Sequence, residues 1–168
     1  MKTIVAVDKK WGIGKANGLL FSLPEDMKFF RETTKGKVVV MGLNTLRSFP
    51  NGAPLKNRVN IVLSDVDVEA VDGLIVCRSI DELKNEIKKY NPDDVFVIGG
   101  GMMYRQFCDY CSEAYITKVD ADGEATVFFP NLDEKPNWTL ASESLSVVTN
   151  GYIISFCKYV NNSIEALQ

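Results

Sequence analysis

Residues 95–107 constrain this chain more than any other stretch, because they join a buried strand to a glycine turn and a helix. Val95-Phe96-Val97-Ile98 is a run of four apolar residues, which is typical of a strand buried on both faces of a parallel sheet. Gly99, Gly100 and Gly101 follow directly, and the residues after them can form a helix. Backbone N–H groups at such a turn bind phosphate-bearing ligands in open α/β sheets. The turn could also be only a tight connection that needs glycine backbone angles.

The rest of the pattern predicts one α/β domain over residues 1–168. Buried strands alternate with helices, and two alternating segments flank the hairpin signal Asn150-Gly151. We therefore predict a doubly wound, mainly parallel eight-stranded sheet with an antiparallel C-terminal hairpin and helices on both faces. The predicted strands cover residues 3–7, 38–41, 59–63, 74–77, 95–98, 114–119, 139–148 and 152–160. Residues 161–168 are predicted to be a loose tail.

A capping pattern places the first helix. Ser22 is followed three residues later by Glu25, with a proline between them, so we predict Ser22 as the N-cap of a helix that ends near Thr34. The inner side of this helix would carry Met27, Phe29 and Phe30. Residues 8–20 show no helical period, which indicates a long loop of the kind that covers binding sites.

Composition argues against several partners and locations. The formal net charge is −3, whereas nucleic-acid binding needs a basic face. No apolar run approaches the roughly 20 residues of a membrane span, and the first residues resemble a strand rather than a secretion signal. We therefore expect a cytoplasmic protein that binds neither nucleic acid nor membrane. We also expect a monomer, because the sequence shows no unusually apolar surface stripe.

The chain contains no histidine, which excludes catalysis by Ser/His or Cys/His pairs. Its four cysteines, at positions 77, 108, 111 and 157, do not resemble a disulfide framework. Cys108 and Cys111 form a C-x-x-C pattern without a second pair or a histidine to complete a metal site. We predict free thiols and no bound metal. Proton chemistry would then depend on a carboxylate, a tyrosine, a lysine or water.

Asp26 is the most suggestive residue for chemistry. It falls in the first turn of the predicted helix, four residues before Phe30, so it can share the apolar inner face. Burying an unpaired carboxylate is costly, and a carboxylate in an apolar cleft can accept two parallel N–H donors from a planar heterocycle. The alternative is an acid that only interacts with the helix dipole. Glu25 fits that alternative better.

Three strand ends carry turn-forming residues. Gly42, Ser64 and the three glycines follow the carboxyl ends of strands that would meet at one edge of the sheet. Together they favour a phosphate-bearing cofactor, although the glycines do not follow the G-x-G-x-x-G spacing. Arg58, just before the strand at 59–63, could neutralise an anionic tail or could only cap a loop in solvent.

These residues occur in an order that resembles the dihydrofolate reductase family from about residue 3 to residue 159. The matching positions are Ile13-Gly14, Leu23-Pro24-Glu25-Asp26, Phe30, Val40-Met41-Gly42, Thr45, Ser48-Phe49-Pro50, Pro54-Leu55, residues 58–64, residues 97–101, Tyr104, Thr117 and Phe129-Pro130. The resemblance implies an oxidoreductase and antifolate target that transfers a hydride from NADPH to C6 of 7,8-dihydrofolate, with protonation of N5. Its product would be tetrahydrofolate for one-carbon metabolism. Alternatives are a same-fold reductase of another pterin or pyrimidine, and a non-catalytic nucleotide- or antifolate-binding protein.

The resemblance also implies roles for single residues. Asp26 would bind the pteridine N–H pair and promote protonation of N5 through water, Thr117 would orient Asp26, and Arg58 would bind the α-carboxylate of the glutamate tail. Further substrate contacts would be Ile4, Met27, Phe30, Leu55 and Ile98. Cofactor contacts would be Ala6, Ile13, Gly14, Gly18, Leu19, Gly42, Leu43, Asn44, Thr45, Leu63, Ser64, Asp65, Arg78, Ile98, Gly99, Gly100, Gly101, Met102, Met103, Tyr104 and Gln106. The loop at residues 9–20 would close over the nicotinamide.

One departure from the family pattern concerns catalysis. Phe21 stands where the family usually has tryptophan, whose N–H helps order a water near the substrate. Phenylalanine cannot donate that hydrogen bond, so weaker catalysis or a shifted substrate fit is expected.

Three further departures concern the cofactor. Leu43 and Met102 replace common basic residues, and Asp65 adds an acid where the adenosine 2′-phosphate is expected. Losing cations there should weaken NADPH relative to NADH, so we predict a relaxed preference with NADH as an alternative donor. Arg78 and Arg47 are the cations that could compensate.

Overall fold

The computed structural model describes residues 1–15 and 18–168. Within these residues the strands are β1 (Lys2–Val7), β2 (Gly12–Gly14), β3 (Val38–Gly42), β4 (Val59–Leu63), β5 (Leu74–Cys77), β6 (Val95–Gly99), β7 (Glu113–Val119), β8 (Val127–Phe128), β9 (Trp138–Glu143), β10 (Val147–Thr149) and β11 (Tyr152–Asn161). The α-helices are α1 (Pro24–Thr34), α2 (Leu43–Ser48), α3 (Ile80–Ile87) and α4 (Gly101–Phe107).

The main sheet has the order β10-β11-β7-β1-β6-β3-β4-β5, and β9 also pairs with β11. The strands from β7 to β5 in this order are parallel to their neighbours, whereas β11 is antiparallel to β7, β9 and β10. The predicted doubly wound, mainly parallel sheet with an antiparallel C-terminal hairpin is therefore confirmed.

The core forms because apolar strands are covered on both faces, as parallel strands require. Helices α3 and α4 pack against one face through Leu83, Ile87 and Phe107. Helices α1 and α2 cover the other face, where Phe29 and Phe30 contact a cluster around Ile4, Val39, Met41, Phe96 and Ile98. The prediction of helices on both faces is confirmed.

One predicted strand is wrong in its extent. Residues 139–148 form two strands, β9 and β10, because the chain leaves the sheet at residues 144–146. Ser144 accepts a hydrogen bond at its Oγ from the Phe156 N–H, and Leu145 is 90% exposed. Both strands still pair with β11, so the sheet gains a ninth strand.

Two predictions about α1 are wrong. Its N-cap is Leu23, not Ser22, and Met27 is 61% exposed, not on the inner side. Met27 lies about 100° around the helix from Asp26, at the edge of the face that Phe29 and Phe30 occupy. The predicted end of the helix at Thr34 is confirmed.

The loop predicted at residues 8–20 contains a strand, and its residues Ala16 and Asn17 lie outside the described residues. β2 pairs with β8 to form a separate two-stranded sheet. The buried Asp8 accepts hydrogen bonds from the Gly12 N–H at 2.7 Å and the Gly123 N–H at 3.0 Å. These bonds connect the loop to the segment before β8.

The C-terminal residues make more contacts than the predicted loose tail. β11 continues to the buried Asn161, while residues 162–168 contain no helix or strand. The Glu165 N–H donates to the Asp109 carbonyl at 2.9 Å, and Leu167 contacts the core.

All four cysteines are free and buried, as predicted. Within the described residues, no helix is long and apolar enough to cross a bilayer.

Candidate active site

A carboxylate and a hydroxyl meet at the carboxyl end of the central strands. Asp26 lies in the first turn of α1, and Thr117 lies on β7, opposite Ala6 of β1. Thr117 Oγ1 donates to Asp26 Oδ1 at 2.6 Å. Burial raises the pKa of Asp26, while the hydrogen bond from Thr117 lowers that pKa in part. A half-buried carboxyl of this kind can bind N–H donors and can still exchange protons.

Apolar side chains from β1, β6 and α1 extend from this carboxylate. Thr3 of β1 is in register with Val97 of β6, so the next residues, Ile4 and Ile98, lie side by side. Both belong to the cluster that Phe30 and Leu55 also contact. The structure therefore brings together the predicted substrate contacts Ile4, Phe30, Leu55 and Ile98, whereas Met27 lies largely in solvent.

Arg58 lies at the other end of this apolar wall, with its guanidinium carbon 5.9 Å from the centre of the Phe30 ring. Burial, and then the like charge of Arg31, lowers the pKa of Arg58. Among the described residues, Arg58 Nε is a buried side-chain atom without a hydrogen-bond partner. An unsatisfied buried donor costs about 1–3 kcal/mol, and an incoming carboxylate would recover that free energy.

Asn60 holds the segment that carries Leu55 and Arg58, and the sequence analysis did not identify it. Its side chain accepts from the Leu55 N–H at 2.9 Å and donates to the carbonyls of Leu55 and Arg58 at 2.9 and 3.3 Å. Asn60 is fully buried. The sequence signal that could have identified Asn60 is a polar residue inside the apolar run of β4. A buried polar side chain needs hydrogen-bond partners, so this position indicates a structural role.

The predicted phosphate edge is assembled from β3, β4 and β6. Met41 lies opposite Gly99, and Gly42 lies opposite Leu63, so the turns after these strands are neighbours. A Cβ on Gly99, whose φ is +144°, would lie 2.9 Å from Thr45 Oγ1. A Cβ on Gly101 would lie 2.6 Å from Val127 Cγ1. Close packing thus explains two of the glycines, and their role toward phosphate stays a prediction.

Some predicted cofactor residues have side chains that are already engaged. Ser64 Oγ donates to the Val66 carbonyl at 2.8 Å. Tyr104 is buried and donates to the Ile4 carbonyl at 3.0 Å, and burial raises the pKa of its phenol. Met103 is 1% exposed within the core, so only its backbone is available to a ligand.

The other predicted cofactor residues are all at least partly exposed. Ala6, Ile13, Gly14, Gly42, Leu43, Thr45, Leu63, Gly100 and Gly101 are partly buried, and Gly18, Leu19, Asn44, Asp65, Arg78, Met102 and Gln106 are exposed. Arg78 Nη1 contacts Asp67 Oδ1 at 2.6 Å, and Nη2 donates to the Asp65 carbonyl at 2.9 Å. The structure therefore places the candidate compensating cation beside Asp65.

Phe21 lies in an apolar group at the start of α1. Its ring centre is 4.8 Å from that of Tyr152, and it packs with Ala6 against a cluster that includes Leu23. Phenylalanine provides no hydrogen-bond donor here, so any water near Asp26 must be ordered by other groups.

The fold and the site define a class: an open α/β protein with an anchored carboxylate at the strand ends, an apolar wall and a partly unpaired arginine. A family model described as dihydrofolate reductase matches residues 1–161. The chain is 35% identical over 139 residues to a dihydrofolate reductase of Bacillus subtilis, covering 83% of this chain and 80% of the relative. It is also 33% identical to a bifunctional dihydrofolate reductase-thymidylate synthase of Daucus carota, covering 99% of this chain and 35% of that protein.

A solved structure gives the same result. The dihydrofolate reductase from Enterococcus faecalis complexed with NADP(H) and RAB-propyl is 30% identical, with a TM-score of 0.82, covering 96% of this chain and 95% of that chain. This chain belongs to the dihydrofolate reductase family, as its sequence motifs predicted.

Proposed function

We propose that this protein reduces 7,8-dihydrofolate with NADPH, giving tetrahydrofolate for one-carbon metabolism. The observation that carries the proposal is one apolar wall with a polar anchor at each end. Asp26, held by Thr117 at 2.6 Å, lies at one end, and the partly unpaired Arg58 lies at the other. Dihydrofolate has matching groups, since its pteridine carries an N–H pair and its glutamate tail carries a carboxylate.

The chain supports the reaction by binding, orientation and proton supply. Asp26 accepts the pteridine N–H pair, and Thr117 fixes the orientation of the carboxylate. Because burial raises the pKa of Asp26, this carboxyl holds a proton to higher pH than an exposed aspartate and can promote protonation of N5 through water. Ile4, Phe30 and Ile98 exclude bulk solvent from the ring.

The residues fit a dinucleotide cofactor along the edge formed by β3, β4 and β6. The turns after Gly42, Ser64 and Gly99 lie together there, and such turns can offer backbone N–H groups to a pyrophosphate. When bound, the nicotinamide supplies the hydride that C6 receives. We further propose a monomeric, cytoplasmic protein with a single domain.

Absorbance at 340 nm with dihydrofolate and NADPH tests the proposal. Asp26→Asn keeps the shape of the side chain and replaces the ionisable carboxyl with an amide. We therefore expect kcat near neutral pH to fall by about 10²–10⁴-fold, the usual range for general acid–base groups. Glu25→Gln is the matched control, since it removes the neighbouring exposed acid, and it should stay within about threefold of wild type. An inert wild type would refute the proposed activity. An Asp26→Asn variant as fast as wild type would show that Asp26 is not the key carboxyl.

A further inference from the structure

The helix that carries Asp26 begins without a cap of its own. The N-cap residue of α1 is Leu23, whose side chain has no acceptor, and Pro24 at the first helical position has no N–H. The first free N–H therefore belongs to Glu25, directly before Asp26. Such groups are normally satisfied by the N-cap side chain, so here another part of the chain must provide the acceptor.

Thr149 provides that acceptor from 124 residues further along the chain. The Glu25 N–H donates to Thr149 Oγ1 at 3.3 Å. Thr149 is 5% exposed and pairs with Tyr152 where β10 turns into β11. The next residue, Asn150, donates from Nδ2 to the Ser22 carbonyl at 3.0 Å. One hairpin turn thus holds both the segment before α1 and the first turn of α1.

The same pair of strands also supports Asp26 indirectly, through β7. β11 is antiparallel to β7, and Phe156 lies opposite Thr117, which donates to Asp26 Oδ1. The two supports of the first turn of α1 therefore lie close together in the sheet, with Thr117 on β7, Thr149 on β10 and β11 between these strands. The phenol of Tyr104 on α4 is a further titratable group near enough to interact with the Asp26 charge.

We propose that Thr149 is a positioning residue of the active site, whose hydroxyl caps α1 and thereby fixes where Asp26 meets Thr117 and the substrate. This inference rests on the proposed function, because the place of Asp26 matters to catalysis only if dihydrofolate binds against it. Without the acceptor, the Glu25 N–H loses its partner and the first turn can fray. The hydrogen bond between Thr117 and Asp26 then weakens.

Paired substitutions separate this role from simple packing. Thr149→Val keeps the shape of the side chain and removes the acceptor, Thr149→Ala removes it in a second way, and Thr149→Ser keeps it. Thr139→Val is the matched control, because Thr139 is an exposed residue of β9 that accepts from Asn162 at 2.8 Å. The measurements are the pKa of the Asp26 carboxyl by ¹³C NMR in the unliganded protein, and the Kd values for dihydrofolate and NADPH by fluorescence quenching.

Thr149→Val and Thr149→Ala should shift the pKa of Asp26 from its wild-type value, because the burial that raises this pKa and the hydrogen bond from Thr117 that lowers it both depend on the position of the first turn of α1. The Kd for dihydrofolate should rise about three- to tenfold, the usual range for a lost cap. The Kd for NADPH should stay within about twofold, since the proposed cofactor edge belongs to β3, β4 and β6. Thr149→Ser and Thr139→Val should both keep the wild-type pKa of Asp26 and the wild-type Kd values for both ligands.

Two results would overturn the inference. The first is a variant without the acceptor that keeps the wild-type pKa of Asp26 and the wild-type Kd for dihydrofolate. The second is an equal rise in the Kd values for dihydrofolate and NADPH, with Thr149→Ser binding both ligands as weakly as Thr149→Val. This result would indicate that Thr149 has a packing role only. The NMR titration needs no turnover, so an inert wild type would refute the proposed activity and leave the test of Thr149 intact.

Discussion

At the scale of single residues, we propose that Arg58 discriminates between the substrates that this fold could accept. Its Nε is buried without a partner among the described residues, and its guanidinium lies against Phe30. A substrate with a carboxylate tail satisfies this donor, whereas a tail-less pterin or pyrimidine leaves it unpaired. The site therefore favours dihydrofolate over the substrates of a same-fold reductase.

Arg58→Gln should raise the KM for dihydrofolate roughly tenfold or more, because hydrogen bonds to charged groups contribute about 1.5–3 kcal/mol. Steady-state kinetics with 7,8-dihydropteroate provide the control, since that substrate has no glutamate tail and should show nearly the same KM with both enzymes. If the substitution raised the KM equally for both substrates, Arg58 would not be a contact of the glutamate tail.

The sequence pointed to a residue whose type is unusual for its position, and it did not reveal residues whose hydrogen-bond partners come together only in the folded chain. Asp26 was identifiable because a carboxylate shares a helical face with apolar residues. Thr117 as its partner required the resemblance, since 91 residues separate the two. Asn60 and Thr149 were missed because their importance arises from backbone groups that only the folded chain brings to them.

At the scale of elements, the parallel strands were predictable and the start of α1 was not. β3, β4 and β6 are apolar runs that only a parallel sheet buries on both faces. Ser22 carries the residue type of an N-cap but lies one residue before it, and Thr149 of another element provides the acceptor for the first turn. Local capping patterns cannot report an acceptor contributed by tertiary structure.

We also propose that the ends of β3, β4 and β6 decide which cofactor the protein prefers. Leu43 and Met102 bring no charge, and Arg78 already contacts Asp67 at 2.6 Å. Exposed ion pairs contribute about 0.2–1 kcal/mol, so a 2′-phosphate can compete for this guanidinium but gains little from a single shared cation. We therefore expect the kcat/KM ratio for NADPH over NADH to stay below about 100-fold, or 2.7 kcal/mol.

Kinetics with both cofactors test that expectation, and Arg78→Gln identifies the cation. The kcat/KM of the variant with NADPH should fall by up to about fivefold, the equivalent of roughly 1 kcal/mol, and its kcat/KM with NADH should not change, because only NADPH carries the 2′-phosphate. A wild-type preference above about 100-fold would contradict the relaxed selectivity.

At the scale of the whole molecule, the mainly parallel sheet followed from the alternation of strands and helices, but the strand order and the shape of the C-terminal edge did not. A single alternating segment was expected at residues 139–148, and the chain instead leaves and re-enters the sheet around Ser144. Alternation reports which face a side chain occupies. It does not reveal a bend when the same two-residue alternation continues before and after that bend.

The last residue of β11 connects this edge to the rest of the protein. Asn161 is buried, and its Nδ2 donates to the carbonyls of Asp109 and Cys111 at 3.2 and 3.0 Å. Its Oδ1 accepts from Asn137 Nδ2 at 3.0 Å. One side chain therefore joins the end of the sheet to the turn after α4 and to the segment before β9.

Asn161→Ala should lower the free energy of unfolding by about 2–4 kcal/mol, because buried carbonyls lose their donors and each unsatisfied group costs about 1–3 kcal/mol. Urea denaturation measures the change, and the slope of the transition should stay constant. Asn162→Ala is the control, since the side chain of this exposed neighbour donates to the exposed Thr139, and alanine keeps the backbone hydrogen bond from residue 162 to the Asn137 carbonyl. The loss in free energy of unfolding should stay within about 0.5 kcal/mol. Equal effects of the two substitutions would show that the C-terminal edge is held by strand pairing alone.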